Sequence, residues 1–153
     1  MRFIKTFALA AAIAAPALAA VPAMAAEEDA LVKFRMNNMK IVGGAMQNIV
    51  AQLKGEAPVK DQIAAYATIM ADAARMSAPA FKDKAMGLEV KGTAKAEVWT
   101  DWAKFEGGLQ KLETESAKLA QVAAAGDMAA IGAQVQEVGK TCKGCHDNFR
   151  QKD

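Results

Sequence analysis

The chain has 153 residues, with 19 Lys and Arg against 17 Asp and Glu, two cysteines and one histidine. That length suits one domain. So even a charge balance leaves no basic face for a nucleic-acid partner, and two cysteines with a single histidine offer no second pair to complete a four-ligand structural zinc site.

Residues 1–25 read as a secretory signal peptide. Met1-Arg2-Phe3-Ile4-Lys5 is a short basic start, Thr6 to Val21 is apolar and alanine-rich, and Pro22-Ala23-Met24-Ala25 supplies a small-x-small cleavage site after Ala25. A retained membrane anchor fits less well, because Pro16 and Pro22 interrupt the apolar run. Cleavage removes Arg2 and Lys5, so 19 basic residues fall to 17 against 17 acidic, and the exported chain is formally neutral. A soluble periplasmic protein is expected rather than a membrane-embedded one, with residues 26–153 forming its domain.

Four helical segments and no strand are expected in that domain. The first covers about 29–54: Glu27, Glu28 and Asp29 place negative charge at its start, Leu31, Phe34, Met39, Val42, Met46, Ile49 and Leu53 recur near helical spacing, and Gly55 closes it. The second covers about 59–76 on a stripe of Val59, Ile63, Tyr66, Met70 and Ala73, and Pro79 is expected to stop it. Residues 77–94 read as an irregular loop, long enough to cover one end of a cofactor pocket. The third segment, about 95–124, carries Val98, Trp102, Phe105, Leu109, Leu112 and Leu119, with Ser116 in the gap and a costly Gly107-Gly108 inside it. Gly126-Asp127 marks a turn and the next N-cap.

The last segment is the most regular. Met128, Ile131, Val135, Val138, Cys142, Cys145 and Phe149 alternate in steps of three and four, the pattern of one helix face. Within it stands Cys142-Lys143-Gly144-Cys145-His146, the attachment pattern of c-type haem. Residues three apart share a helix face, so each thiol can add across one porphyrin vinyl group while the following imidazole turns to the iron. A redox dithiol normally opens a helix in a βαβ setting, which is absent from this pattern, and a disulfide across three residues would leave His146 without a role. One covalent haem c per chain is expected, inside an all-α, antiparallel up-down-up-down four-helix bundle. Bundles of this kind are known to hold haem, cytochrome c′ among them.

A haem motif at the C-terminal end of an exported helical chain resembles the class II cytochromes c, the cytochrome c′-like family. The resemblance spans nearly all of the mature chain: Phe34-Arg35, Lys54-Gly55-Glu56, Val98-Trp99 with Phe105, Gly126-Asp127, and Val138-Gly139 ahead of Cys-Lys-Gly-Cys-His-Asp-Asn-Phe-Arg. It implies that Cys142 and Cys145 form the thioethers and His146 is the proximal axial ligand. Arg35 matches an arginine that pairs with a haem propionate, and Arg150 a proximal-side arginine near the iron. A last-turn cation complementing the helix dipole is the other reading of Arg150, with equal weight. Thr93 falls where some relatives carry an acidic residue near the haem, a departure from their pattern.

The family divides on the sixth iron position, which falls at Met39, four residues after Arg35. In one branch the site is open, covered by an apolar side chain, and binds NO or CO. In the other a methionine ligates and the protein carries single electrons between periplasmic redox partners. A methionine stripe is usually core packing. Gly43 and Gly44, however, remove side chains one turn on and would let a porphyrin approach the helix, and Met39-Lys40-x-x-Gly43-x-x-Met46 looks more like the low-spin branch. The expectation is therefore a His146/Met39 low-spin electron carrier, not an enzyme, with an open gas-binding site as the alternative. A methionine trans to histidine raises the reduction potential. Relatives often dimerise through the first two helices, which puts a homodimer within what the resemblance implies.

Overall fold

The computed structural model describes residues 20–59, 61–82 and 94–151, which form six helical segments: α1 (Ala20–Leu53), α2 (Ile63–Arg75), α3 (Ser77–Lys82), α4 (Glu97–Thr100), α5 (Trp102–Ala125) and α6 (Met128–Phe149). Four of them, α1, α2, α5 and α6, make an antiparallel four-helix bundle. The expected α-only architecture holds, and among the described residues no strand forms beyond one isolated bridge between Ala94 and Arg150.

The turns obey their sequence signals. Gly55 (φ 73) and Gly126 (φ 77) take the left-handed conformation that ends α1 and α5. The Asp127 carboxylate then accepts from the amides of Ala129 (2.9 Å) and Ala130 (3.1 Å), which satisfies two of the orphan donors at the start of α6. On α6 the expected stripe is buried at Ile131, Val135, Val138 and Phe149, while Met128 lies outside it, half in solvent.

Helix α1 is described from Ala20 onward. Three boundaries differ from expectation, each for a physical reason. Helix α2 starts at Ile63 rather than at 59, because Asp61 holds a left-handed backbone (φ 65) that no helix can include. Residues 77–82 are helical, not irregular: Pro79 is the third residue of α3, where its missing N–H has no intrahelical acceptor to lose. The third segment breaks at Asp101 (φ −125, ψ 53), which separates α4 from α5. The break lets α4 dock by itself, with Val98 buried and the Trp99 indole N–H donating to the Phe81 carbonyl at 3.1 Å.

Two side-chain placements also differ. Phe34 and Val59, expected on buried stripes, are 59% and 52% exposed. Arg35 and Asn38 occupy the interior instead. The Asn38 amide donates to the Ala73 carbonyl (3.1 Å) and to the Ser77 hydroxyl (2.8 Å), and this tie to α2 and α3 sets the rotation of α1.

The four long helices do not pack evenly. Helices α1 and α2, α2 and α5, and α5 and α6 meet along their lengths, whereas α1 and α6 meet only sparsely. One point of approach is Met46, whose Cε stands 3.9 Å from where a Cβ on Gly139 would sit. Three seams of the bundle are closed and the fourth is loose.

Ser116 fills the gap in the α5 stripe and is fully buried, and among the described residues its hydroxyl has no hydrogen-bond partner. An unpaired buried hydroxyl is destabilising by about 1–3 kcal/mol. Ser116→Ala is therefore expected to raise the unfolding free energy by about 1 kcal/mol, read as a higher urea midpoint with an unchanged slope. A lower midpoint would mean that the hydroxyl does have a partner.

Candidate haem site

The cysteines lie on the inward face of α6, where the three-four spacing puts them. Both are half-buried thiols with no disulfide between them. Burial pushes both thiols up, with the charge of Cys142 adding to the effect at Cys145. Net addition of S–H across a vinyl C=C would form a C–S bond and place the hydrogen on the neighbouring carbon, which needs no external oxidant. Among the described residues, no three His, Cys, Asp or Glu side chains come together to hold a metal ion.

The two thiols face two different parts of the core. Cys142 packs with Met46 against the aliphatic cluster built on Val42, Ile49, Ile131 and Val138. Cys145 packs with Met39, Trp99 and Trp102 against an aromatic cluster of Phe81, Phe105 and Phe149. Phe105 is its hub, with ring centroids 5.0 Å from Phe81 and 5.2 Å from Phe149, both edge-on. Met39 of α1 and Cys145 of α6 thus reach one common surface from opposite sides of the loose seam.

His146 is exposed on α6, next to that seam. The desolvation it does feel, followed by the charge of Arg150, holds its imidazole below the usual range, and Asp147 pulls the other way. The neutral ring that this favours is the form that coordinates a metal. Arg150 ends α6 in extended conformation, and its amide donates to the His146 carbonyl at 3.1 Å. The adjoining strand-like pairing brings Lys95 N to Phe149 O (2.9 Å), which fixes the approach to α4.

Arg35 is buried, 4% exposed. Its Nε donates to the Ala80 carbonyl at 2.7 Å, and its guanidinium carbon lies 5.4 Å from the Phe81 ring centre and 5.3 Å from that of Trp99. It joins α1 to α3 and α4 on the edge of the aromatic cluster. Thr93 lies outside the described residues.

The expected glycine gap is present. Among the described residues, no atom beyond the helix's own backbone would lie within 4 Å of a Cβ at Gly43 or Gly44, and the same is true of Gly144 in the attachment motif. Among the described residues these glycines serve no close helix–helix packing. Inward thiols, a loose α1–α6 seam, an imidazole biased towards its neutral form and the glycine-lined space on α1 together fit a covalent haem.

Sequence reasoning missed Asn38 and the partners of Arg35. Polar residues on a buried helix face carry no periodic signal, and their acceptors are backbone carbonyls far along the chain.

A family profile described as Cytochrome C′ matches residues 30–150. The chain is 34% identical over 146 residues to a cytochrome c′ of Rhodospirillum rubrum, covering 95% of this chain and 98% of that protein. It is 30% identical over 122 residues to a cytochrome c-556 of Agrobacterium tumefaciens, covering 79% of this chain and 97% of that one. Among solved structures it superposes with a TM-score of 0.73 on a nitric oxide-bound ferrous variant of cytochrome c′ from Alcaligenes xylosoxidans, at 28% identity over 82% of this chain and 97% of that one. With the attachment motif, the bundle and the match over residues 30–150 agreeing, the chain belongs to the cytochrome c′ family of c-type haem proteins.

Proposed function

We propose that this chain is an exported haem protein that takes up a diatomic gas such as NO or CO on an open distal face, with Met39 packed over the iron and not bonded to it. The haem c that members of this family carry supplies, when bound, a one-electron iron couple and an axial position for the gas. Cys142 and Cys145 would anchor it, and His146, exposed on the same helix, would hold the iron. Arg35 lies at the same end of the bundle, and the charge of Arg150 adds to desolvation in lowering the His146 pKa.

The observation that carries the reading is the space next to Met39. The side chain is half-buried, and the helix beyond it is bare at Gly43 and Gly44. A thioether with three rotatable bonds can swing into that space, clearing room for a two-atom ligand. The likeness to a nitric oxide complex and a carbon monoxide complex of cytochrome c′ supports it further.

The single-electron carrier with a His146/Met39 axial pair is the second reading. Its support is that Met39 and Cys145 pack against the same aromatic cluster, which is where a distal thioether ligand would have to stand.

Electron paramagnetic resonance of the oxidised holoprotein, purified from the periplasm with Ala26 as its first residue, separates the two. The gas-binding reading expects a high-spin signal at neutral pH and rapid CO uptake by the reduced protein, both unchanged in Met39→Leu. A low-spin signal that Met39→Leu converts to high-spin would overturn it in favour of the carrier.

A further inference from the structure

On the far side of α6 from His146, a cavity of about 170 Å³ opens between α5 and α6. Lys104 and Lys111 border it from α5 and Lys140 from α6, while Gly108 and Gly144 leave it open and Cys145 forms part of its wall; none of the described residues lining it is acidic. We propose that this groove is the docking site for an electron-transfer protein that presents carboxylates. The proposal rests on haem attachment at Cys145.

The charges around the groove are unevenly compensated. Lys140 bonds Glu137 at 2.6 Å on the exposed surface, an arrangement worth little in water and easily exchanged for a better partner. Lys104 is positioned without being neutralised: it donates to the Asn148 side-chain oxygen at 3.3 Å and stands 5.9 Å from the Phe149 ring centre. Among the described residues neither Lys104 nor Lys111 is in an ion pair. Lys111 lies close enough to Glu115 to help lower its carboxyl, but that carboxylate is already held by Gln134 at 2.7 Å and Lys118 at 3.1 Å. Lys143 is paired with Asp147 and faces away from the groove wall.

The sequence places Lys104 and Lys111 seven residues apart, two helical turns on one face, with Gly107-Gly108 between them. Two glycines inside a helix are unfavourable by about 2 kcal/mol relative to alanine. No close packing accounts for them, because among the described residues a Cβ at either position would meet nothing within 4 Å. Of the two, Gly108 lines the groove and holds it open beside Cys145.

The site suits electron exchange in particular. Cys145 is a wall of the groove and, as a thioether, would be bonded directly to the porphyrin, so a docked partner sits one covalent link from the redox group. Transfer moves a single electron from the reduced protein to the oxidised partner, with no bond made or broken and no proton transferred. Like-signed groups around a cleft focus the field and steer an opposite charge to it.

Oxidised plastocyanin, a blue-copper protein with an acidic face, serves as the probe with reduced holoprotein in stopped flow. Lys111→Glu is expected to slow the reaction about tenfold at low ionic strength, with the difference fading as salt is added. Lys54→Glu, an equal charge change at the opposite end of the bundle, is expected to leave the rate within about twofold. The cationic acceptor tris(phenanthroline)cobalt(III) is expected not to be slowed by Lys111→Glu. Carbodiimide coupling of the two proteins should place amide cross-links on Lys104, Lys111 or Lys140. Cross-links confined to other lysines, or equal rates for Lys111→Glu and Lys54→Glu, would overturn the groove. A pyridine haemochrome spectrum lacking covalent haem would instead remove the premise, before any transfer is measured.

Discussion

Replacing Cys142 and Cys145 together by alanine is expected to leave a folded helical chain from which haem is lost completely in acidified acetone and on denaturing gels. The expectation follows from how α6 is held. Its interior contacts come from Ile131, Val135, Val138 and Phe149, all buried, and these remain. The cysteines are only half-buried, so losing two sulfur atoms costs the apolar core little, about 1 kcal/mol each at most by area. Helicity measured by circular dichroism should stay close to that of the parent apoprotein.

What disappears is the covalent link. The two side chains project from one face one turn apart, about 5–6 Å between Cβ atoms, and each reaches one edge position of the porphyrin. The single variants sort the roles further. Cys145→Ala should keep a haem stain through Cys142 alone, with its visible bands moved to longer wavelength because one vinyl group stays conjugated. Haem that survives denaturation in the double variant would show that attachment lies elsewhere.

The attachment site was legible in the sequence because three signals coincide on α6: the Cys-x-x-Cys-His spacing, an uninterrupted three-four stripe, and an Asp127 N-cap that fixes where the helix starts. Each is local, and a local signal survives folding unchanged. Residues 77–82 and 101 show the opposite case. Pro79 reads as a stop, yet at the third position of a new helix it costs nothing, and the buried Phe81 behind it fixes that helix to the core. The break at Asp101 leaves no mark in composition, since what holds α4 apart is the bond from Trp99 to the Phe81 carbonyl, 18 residues earlier.

The distal position expected at Met39 is a reading of the residue pattern, and the pattern does not carry its chemistry. Met39 has open glycines one turn on and packs against the same aromatic cluster as Cys145. Whether a thioether bonds an iron or covers it depends on tenths of an ångström and on the rotamer of one flexible side chain, and no residue pattern encodes either. The likeness of the chain to cytochromes c′, two of them in gas complexes, moves the balance towards the open site that the pattern around Met39 placed second.

Arg35→Met, at a buried charge, is expected to lower the unfolding free energy by about 2–4 kcal/mol. The methionine keeps most of the apolar stem, so packing is nearly conserved and the loss isolates the guanidinium. Three contributions set the size. The charged bond to the Ala80 carbonyl at 2.7 Å is worth about 1.5–3 kcal/mol, and its removal leaves that acceptor without this donor. Contacts with Phe81 and Trp99 at 5.4 and 5.3 Å add about 1 kcal/mol each where water is excluded. Against them stands the desolvation of a buried cation, which the apolar replacement no longer suffers. Lysine cannot substitute: a single ammonium lacks the planar fork that bonds a carbonyl while stacking on two rings, so Arg35→Lys should fall with Arg35→Met and not with the parent. Because Arg35 is what ties α1 to α3 and α4, the loss should also appear locally. Amide exchange at Phe81, Val98 and Trp99 is expected to accelerate well before exchange at Ile49, Met70 or Leu119, in the aliphatic half of the core. A urea midpoint for Arg35→Met within 0.5 kcal/mol of the parent, about the scatter of surface substitutions, would mean that the aromatic end of the bundle is held by apolar packing alone.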